Sequence, residues 1–288
     1  MIVSVTRCRT VRAALAALGF VFAWCASPAS AQSTPGSPGS GVLITHRDMA
    51  LIGAASAASV GLFALDVRVA HAFTDSAFHQ RHPGLTAAAK RGSLVTETVL
   101  MITGGATWAV ARWSRDQGTA DVALHTTESV ASAAMFIQVV RGALGRARPY
   151  VLDDSGEVRD ADPREFQLLH GFTSFNYRSY PSMHAMASFA AATALAQEMR
   201  YRHTPNREIL TPMLYVAATA PSLARMYLDE HWTSDIAMGV FLGVFSGQKV
   251  VGYSHAHPNN WVDRKLLKKA TMVVTRDGGG FGIRLLPF

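Results

Sequence analysis

From Val42 to about Tyr253 the chain runs in long, alanine-rich apolar stretches, broken by charged or Pro/Gly loops and free of the short alternation that marks half-buried strands. That pattern constrains the fold to helices packed on one another, and the chain reads as an all-α helical bundle. About six main helices are expected, near 48–70, 93–115, 120–145, 182–201, 207–228 and 232–252. The uncharged runs inside them are short: the longest, 49–65, has 17 residues. A spanning helix needs roughly 20 apolar residues to cross about 30 Å of hydrocarbon. A water-soluble bundle with a small-residue core is therefore expected, with charged groups facing an interface as the way in which true spanning helices could still carry these breaks. The tail, 254–288, changes character. Its β-branched residues before Arg276-Asp277-Gly278 and a second apolar run after the glycines read as a short C-terminal β-hairpin.

The first 31 residues have the layout of a cleavable secretory signal peptide: Arg7, Arg9 and Arg12, an apolar run from Ala13 to Ala26, and small residues up to Ala31. An uncleaved anchor is the alternative. Both cysteines, Cys8 and Cys25, lie in this segment, so the mature chain would hold neither a disulfide nor a thiolate. Loss of the segment removes three arginines and no acidic residue, which lowers the net charge from +7 to +4. Such a mild excess suits an anionic substrate or an anionic membrane surface, and no clustered basic and aromatic footprint for nucleic acid is present. Residues 32–41 (QSTPGSPGSG) are a tether too poor in apolar side chains to pack. The folded domain is expected over 42–253.

Three segments carry chemistry. In the first, Arg141 and Arg148 stand seven residues apart. If one helix continued through both, two guanidiniums would project from one face as forked donors for an oxyanion. Arg146, between them, reads as a solvated basic residue at a helix end. In the second, Pro181-Ser182-Met183-His184 precedes an alanine-rich run. Proline and serine there mark a helix N-terminus, whose free N–H groups attract an anion beside the Ser182 hydroxyl and His184. In the third, Arg225 is followed by His231 and Asp235, the last two at i, i+4. On a helix, Asp235 could hydrogen-bond one ring nitrogen of His231 and leave the other as a nucleophile. Each segment alone also has an ordinary structural reading. Their joint occurrence in this order gives them weight.

On these residues the chain resembles the type 2 phosphatidic acid phosphatase (PAP2) family, which shares its fold with bacterial acid phosphatases and vanadium-dependent haloperoxidases. The family pattern is Lys, six residues, Arg-Pro; then Pro-Ser-Gly-His; then Ser-Arg, five residues, His, three residues, Asp. Here it is met by Arg141 and Arg148-Pro149, by Pro181-Ser182-Met183-His184, and by Ala224-Arg225, His231 and Asp235, with every spacing kept. Arg141 stands for the family's Lys, Met183 for its Gly and Ala224 for its Ser.

The resemblance implies a helical bundle of the PAP2/haloperoxidase type over roughly 95–250. It also implies a metal-independent phosphatase of the cell envelope, acting on phosphomonoesters or diphosphates, with a lipid phosphate as the expected substrate. His231 would form a phosphohistidine, Asp235 would hold its ring and His184 would move the leaving-group proton. Arg141, Arg148, Arg225, Ser182 and the Met183 amide would bind the phosphate. No cofactor and no metal are expected; His71, His79, His82, His255 and His257 lack an accompanying ligand cluster at recognisable spacing and read as loop and terminus residues. Alternatives are a haloperoxidase, which would take vanadate in the same pocket, and a non-catalytic binder of phosphate or lipid headgroups. The expected location is periplasmic or otherwise outside the cytoplasm, or in the membrane with the site facing outward. The acidic and aromatic segment 151–180 is expected to shape the mouth of the site.

Overall fold

The computed structural model describes residues 44–74, 76–152, 158–268, 270–274 and 281–285. The expected signal peptide and tether lie outside them. The protein is mostly helical. The six main helices are α1 (His46–Phe73), α4 (Glu97–Trp113), α5 (Gln117–Leu144), α6 (Met183–Tyr201), α7 (Arg207–Tyr227) and α8 (Thr233–Ala256). Two short helices that the apolar pattern did not mark, α2 (Ser76–Arg81) and α3 (Pro83–Gly92), link α1 to α4. Segment 145–182 contains two antiparallel strands, β1 (Tyr150–Leu152) and β2 (Val158–Asp160), and two turns of 3-10 helix. Beyond α8 a π-helical turn, Asp263–Lys268, leads to β3 (Ala270–Val274) and β4 (Phe281–Leu285), which pair antiparallel with Ala270 opposite Leu285. Residues 275–280 between them are outside the described part.

Helix α6 is the axis of the bundle, packed on by α4, α5, α7 and α8. Its alanines allow that crowding, since Ala185, Ala187, Ala190 and Ala194 are fully buried without holding neighbours apart. Helix α8 meets it with glycine every fourth residue. A Cβ on Gly239 would come within 2.5 Å of the Ser182 carbonyl oxygen, and one on Gly243 within 2.4 Å of that of Met186. Small residues at this spacing let two backbones approach closely. The approach fixes the N-terminus of α8 against that of α6, and the Ser182 N–H donates to the Asp235 carbonyl at 3.0 Å.

The helices outrun the uncharged stretches that suggested a water-soluble bundle. Among the described residues two are by length and composition apolar and long enough to cross a membrane, His46–Arg81 taken as one stretch and Thr233–Ala256, and α3 with α4 would make a third if taken as one bent span. They differ in setting: 17% of the first apolar window is buried within the bundle and 56% of the second, so α1 leaves most of its apolar surface uncovered. Ile102 and Val110 of α4, Met135 and Val139 of α5, and Met213 and Val216 of α7 also face outward.

Candidate active site

His231 is placed by the end of one helix and the start of the next. Helix α7 closes with Asp229 in the left-handed region (φ 58°), and the Glu230 N–H donates back to the Arg225 carbonyl at 2.9 Å. This is the bond pattern of a Schellman stop, which reverses the chain within two residues. His231 follows at once, and α8 begins at Thr233. The Asp235 carboxylate caps that start by accepting from the Trp232 N–H at 2.9 Å. His231 and Asp235 are both buried, with His231 Nδ1 3.5 Å from Asp235 Oδ2. That is an ion-pair distance, longer than the direct hydrogen bond expected from i, i+4 spacing.

The nearer partners of Asp235 explain the gap. Its Oδ1 accepts from Arg146 Nη1 at 2.5 Å, and its Oδ2 accepts from Ser179 Oγ at 2.5 Å as well as from the cap. Arg146 is therefore no solvated helix-end residue. It is fully buried, donating through Nε to the Pro163 carbonyl (2.8 Å), through Nη1 also to Ser234 Oγ (2.7 Å) and through Nη2 to Asp66 Oδ2 (2.8 Å). Its guanidinium carbon stands 4.0 Å above the Phe63 ring. Asp66 completes the unit by accepting from the Ser234 N–H (2.9 Å) and hydroxyl (2.5 Å). One guanidinium thus ties α1, the 145–182 segment and α8 together directly behind His231.

Two more arginines act on the His231 ring by their charge. Arg148 and Arg225 both donate to Glu230 Oε2, Arg225 Nη2 at 2.8 Å, and Arg148 also donates to the carbonyls of Glu230 (3.1 Å) and Phe175 (3.2 Å). Burial lowers the Arg148 guanidinium to about 10, with Glu230 opposing. Burial, then the Arg148 and Arg225 charges, holds the His231 imidazole well below its ordinary value. The ring is neutral at pH 7. His184 occupies the first turn of α6 and hydrogen-bonds through Nε2 to the Ser93 carbonyl at 3.1 Å. Burial and the Arg225, Arg148 and Arg141 charges bring it down to about 4. The charges of Arg141, Arg148 and Arg225 all act on His184, and those of Arg148 and Arg225 act on His231, so side chains from three chain segments converge here.

Residues 123–257 match the sequence model of the PAP2 superfamily. This part of the chain is a PAP2 superfamily domain. No curated protein and no solved structure matches the chain.

Within the PAP2 domain the remaining expected residues take different places. Arg141 and Arg148 do not share a helical face: α5 ends at Leu144, and Gly145 (φ 59°) turns the chain in the left-handed conformation that glycine adopts without cost. Arg148 lies beyond that turn, its N–H donating to the Asn176 carbonyl at 2.9 Å. Arg141 stays in the last turn of α5, its Nε buried without a partner. Ser182 is the buried N-cap of α6, with Oγ 3.5 Å from the Ala185 N–H. The Met183 side chain turns into the apolar core with Val130, Ile137, Met186 and Met238, which leaves its backbone at the helix start free of side-chain bulk. Ala224 packs where α7 meets α3, 3.3 Å from where a Cβ on Gly92 would sit. Sequence spacing missed Arg146 and Asp66 because nothing local distinguishes a buried arginine from an exposed one. Asp66, an acidic residue inside an otherwise apolar helix, was the available signal.

Proposed function

We propose that the PAP2 domain is a phosphatase that cleaves phosphate esters of lipids through a phosphohistidine. The observation that carries the reading is a buried His231 held below its ordinary value by burial and by the Arg148 and Arg225 charges, with Asp235 Oδ2 3.5 Å from its Nδ1. In the first step the free nitrogen of His231 attacks phosphorus. The bond from phosphorus to the leaving oxygen breaks, and His184 supplies the proton that oxygen needs. A phosphate dianion in the pocket raises His184 from its depressed value and so charges it for that transfer. In the second step water attacks the phosphohistidine, gives its proton to His184, and leaves inorganic phosphate with His231 restored. Asp235 balances the positive charge on the phosphorylated ring, while Arg141, Arg148 and Arg225 with the α6 N–H groups hold the nonbridging oxygens.

A lipid leaving group is supported by the surroundings of the pocket. Leu168, Leu169, Phe172 and Phe175 are exposed on the segment that carries the Arg148 contacts, with the Phe175 ring 4.0 Å from the Arg148 guanidinium carbon. Apolar side chains beside a phosphate site suit an acyl or isoprenyl chain held at a membrane surface. The test is phosphate release from lipid phosphates, isoprenyl diphosphates and soluble esters at matched concentration, in EDTA, by the wild type and His231→Ala. The reading expects turnover in EDTA, a preference for lipid substrates and a loss in His231→Ala of at least ~10⁴-fold. Full activity in that variant would sink the mechanism, and phosphate binding without turnover on any ester would make the domain a binder.

A further inference from the structure

At the other end of the bundle the structure gathers a second set of titratable groups. His125 and Glu128 stand three residues apart on α5, on one face; Glu198 lies in the last turns of α6; His255 ends α8; and Asp263 opens the π-helical turn that follows. Fourteen residues of α6 separate His184 from Glu198, which places the cluster roughly 20 Å from the phosphate pocket. The catalytic reading makes no use of it.

Two overlapping triads lie within ligand reach of one another, His125–Glu198–His255 and His125–Glu128–Asp263. Their hydrogen bonds separate them. Glu198 is satisfied: Oε1 accepts from His125 Nδ1 (2.6 Å) and His255 Nε2 (3.0 Å), and Oε2 accepts from Arg202 Nε (2.9 Å). His125 Nδ1 and His255 Nε2 share one Glu198 oxygen, so Nδ1 is the His125 nitrogen turned toward a carboxylate that is already bonded. The other ring nitrogen, Nε2, is buried with no hydrogen-bond partner. It faces Asp263 Oδ1 at 3.5 Å, which is also buried and also without a partner. His125 and Asp263 are each 4% exposed. Glu128 is the third member, its ligand atom within 4.8 Å of the other two. Neither His125 Nε2 nor Asp263 Oδ1 makes a hydrogen bond, though they stand at ion-pair distance from each other.

We propose that His125 Nε2 and the carboxylates of Glu128 and Asp263 bind a divalent transition-metal ion such as Zn²⁺ or Mn²⁺, with solvent completing its shell. One imidazole and two carboxylates form a ligand set of this class. Bonds of about 2.0–2.2 Å in tetrahedral arrangement place ligand atoms roughly 3.5 Å apart, the separation already held between His125 and Asp263. Glu198, accepting from the far ring nitrogen, is the carboxylate that orients a metal-binding histidine. Asp263 is aimed by the Asn260 side chain, which accepts its N–H at 3.0 Å. The ion would staple the turn after α8 to the middle of α5, and its role is structural.

The test uses the full chain, stripped with chelator and titrated with Zn²⁺ and with Mn²⁺ by calorimetry, with thermal melts read in parallel. One ion per chain and a higher melting temperature in its presence are expected. Asp263→Asn and Glu128→Gln should each weaken binding by more than ~100-fold, and Glu198→Gln by ~10–100-fold. His231→Ala and His184→Ala should bind as the wild type does, and phosphate release by Asp263→Asn should be unchanged. The proposal is overturned if the stripped protein takes up neither ion. It is overturned equally if Asp263→Asn and Glu128→Gln both bind normally, or if His231→Ala or His184→Ala abolishes binding. Loss in His255→Gln with retention in Asp263→Asn would move the ion to the other triad and refute the ligand set proposed. Since the readout is metal uptake, failure here leaves the phosphatase reading standing, and the reverse holds.

Discussion

Replacement of Arg146 by methionine should unfold the domain at a markedly lower temperature, although the residue has no contact with the proposed phosphate position. The guanidinium is fully buried and bonded to Asp66, Asp235, Ser234 and the Pro163 carbonyl. Methionine fills much of the same volume above Phe63 but leaves two buried carboxylates facing each other with no counter-charge. Breaking a buried ion pair from one side costs about 3–5 kcal/mol. For a domain of this size that lowers the melting temperature by ~6–20 °C. Thermal melts followed by circular dichroism would read it, with Arg148→Met alongside. Arg148 borders the pocket and pairs with Glu230, so its loss should cost less stability and more activity. Asp66→Asn in the Arg146→Met background should recover at least ~1 kcal/mol of the loss, because it removes one of the two stranded charges. A drop under ~3 °C in Arg146→Met, or strict additivity with Asp66→Asn, would refute the claim that this arginine holds α1 and α8 together by charge.

Glu230→Gln should lower the inhibition constant of inorganic phosphate roughly 10-fold, because a neutral amide releases Arg148 and Arg225 more readily than a carboxylate does. Competitive inhibition of phosphate release checks this; an unchanged or higher constant speaks against Glu230 as the group an incoming phosphate displaces. The pH dependence follows from the histidines. His184 is depressed to about 4 and His231 also lies below its ordinary value, so the unfolded chain takes up protons first as pH falls. The stability they contribute is complete above about 6.5 and is lost toward pH 4. The histidines should add no acid limb to kcat/KM above pH ~5, so the only limb between pH ~5 and ~7 should be that of the substrate's own second phosphate ionisation near ~6. Melts and rates between pH 4 and 8 measure both, with the substrate titrated alone, and a second limb near 6.5 beyond the substrate's own would contradict the electrostatic reading. Gly145→Ala should cost at least ~2 kcal/mol, since the left-handed turn at Gly145 is strained for any side chain and a Cβ would sit 1.8 Å from the Gln167 carbonyl oxygen. A melt within 2 °C of wild type would show that the turn relaxes.

The main helices were legible in the chain because an alanine-rich run between Pro/Gly breaks has only one way to satisfy its backbone. The three charged segments were legible as a set because their spacing is local: Ser182 and His184 open α6, and His231 stands just ahead of α8, whose first turn carries Asp235. Local spacing also misled. Seven residues from Arg141 to Arg148 suggested two turns of one helix, yet Gly145 ends it, and the arginines reach the same pocket from different backbone conformations. Arg146 looked like the solvated member of that segment and is the most enclosed.

The sequence alone determined which groups are present, on which helices, and in what order, because propensity and spacing act over a few residues. Only the tertiary structure decided which charges are buried and what answers them. It set Arg146 between Asp66 and Asp235, Glu230 across Arg148 and Arg225, and His125 against Asp263. The partners in those sets that lie far apart in the chain are joined by the packing of α6 against its neighbours. Desolvation, which makes a charge either a structural tie or a reactive group, depends on that packing and on nothing that a short stretch of sequence records.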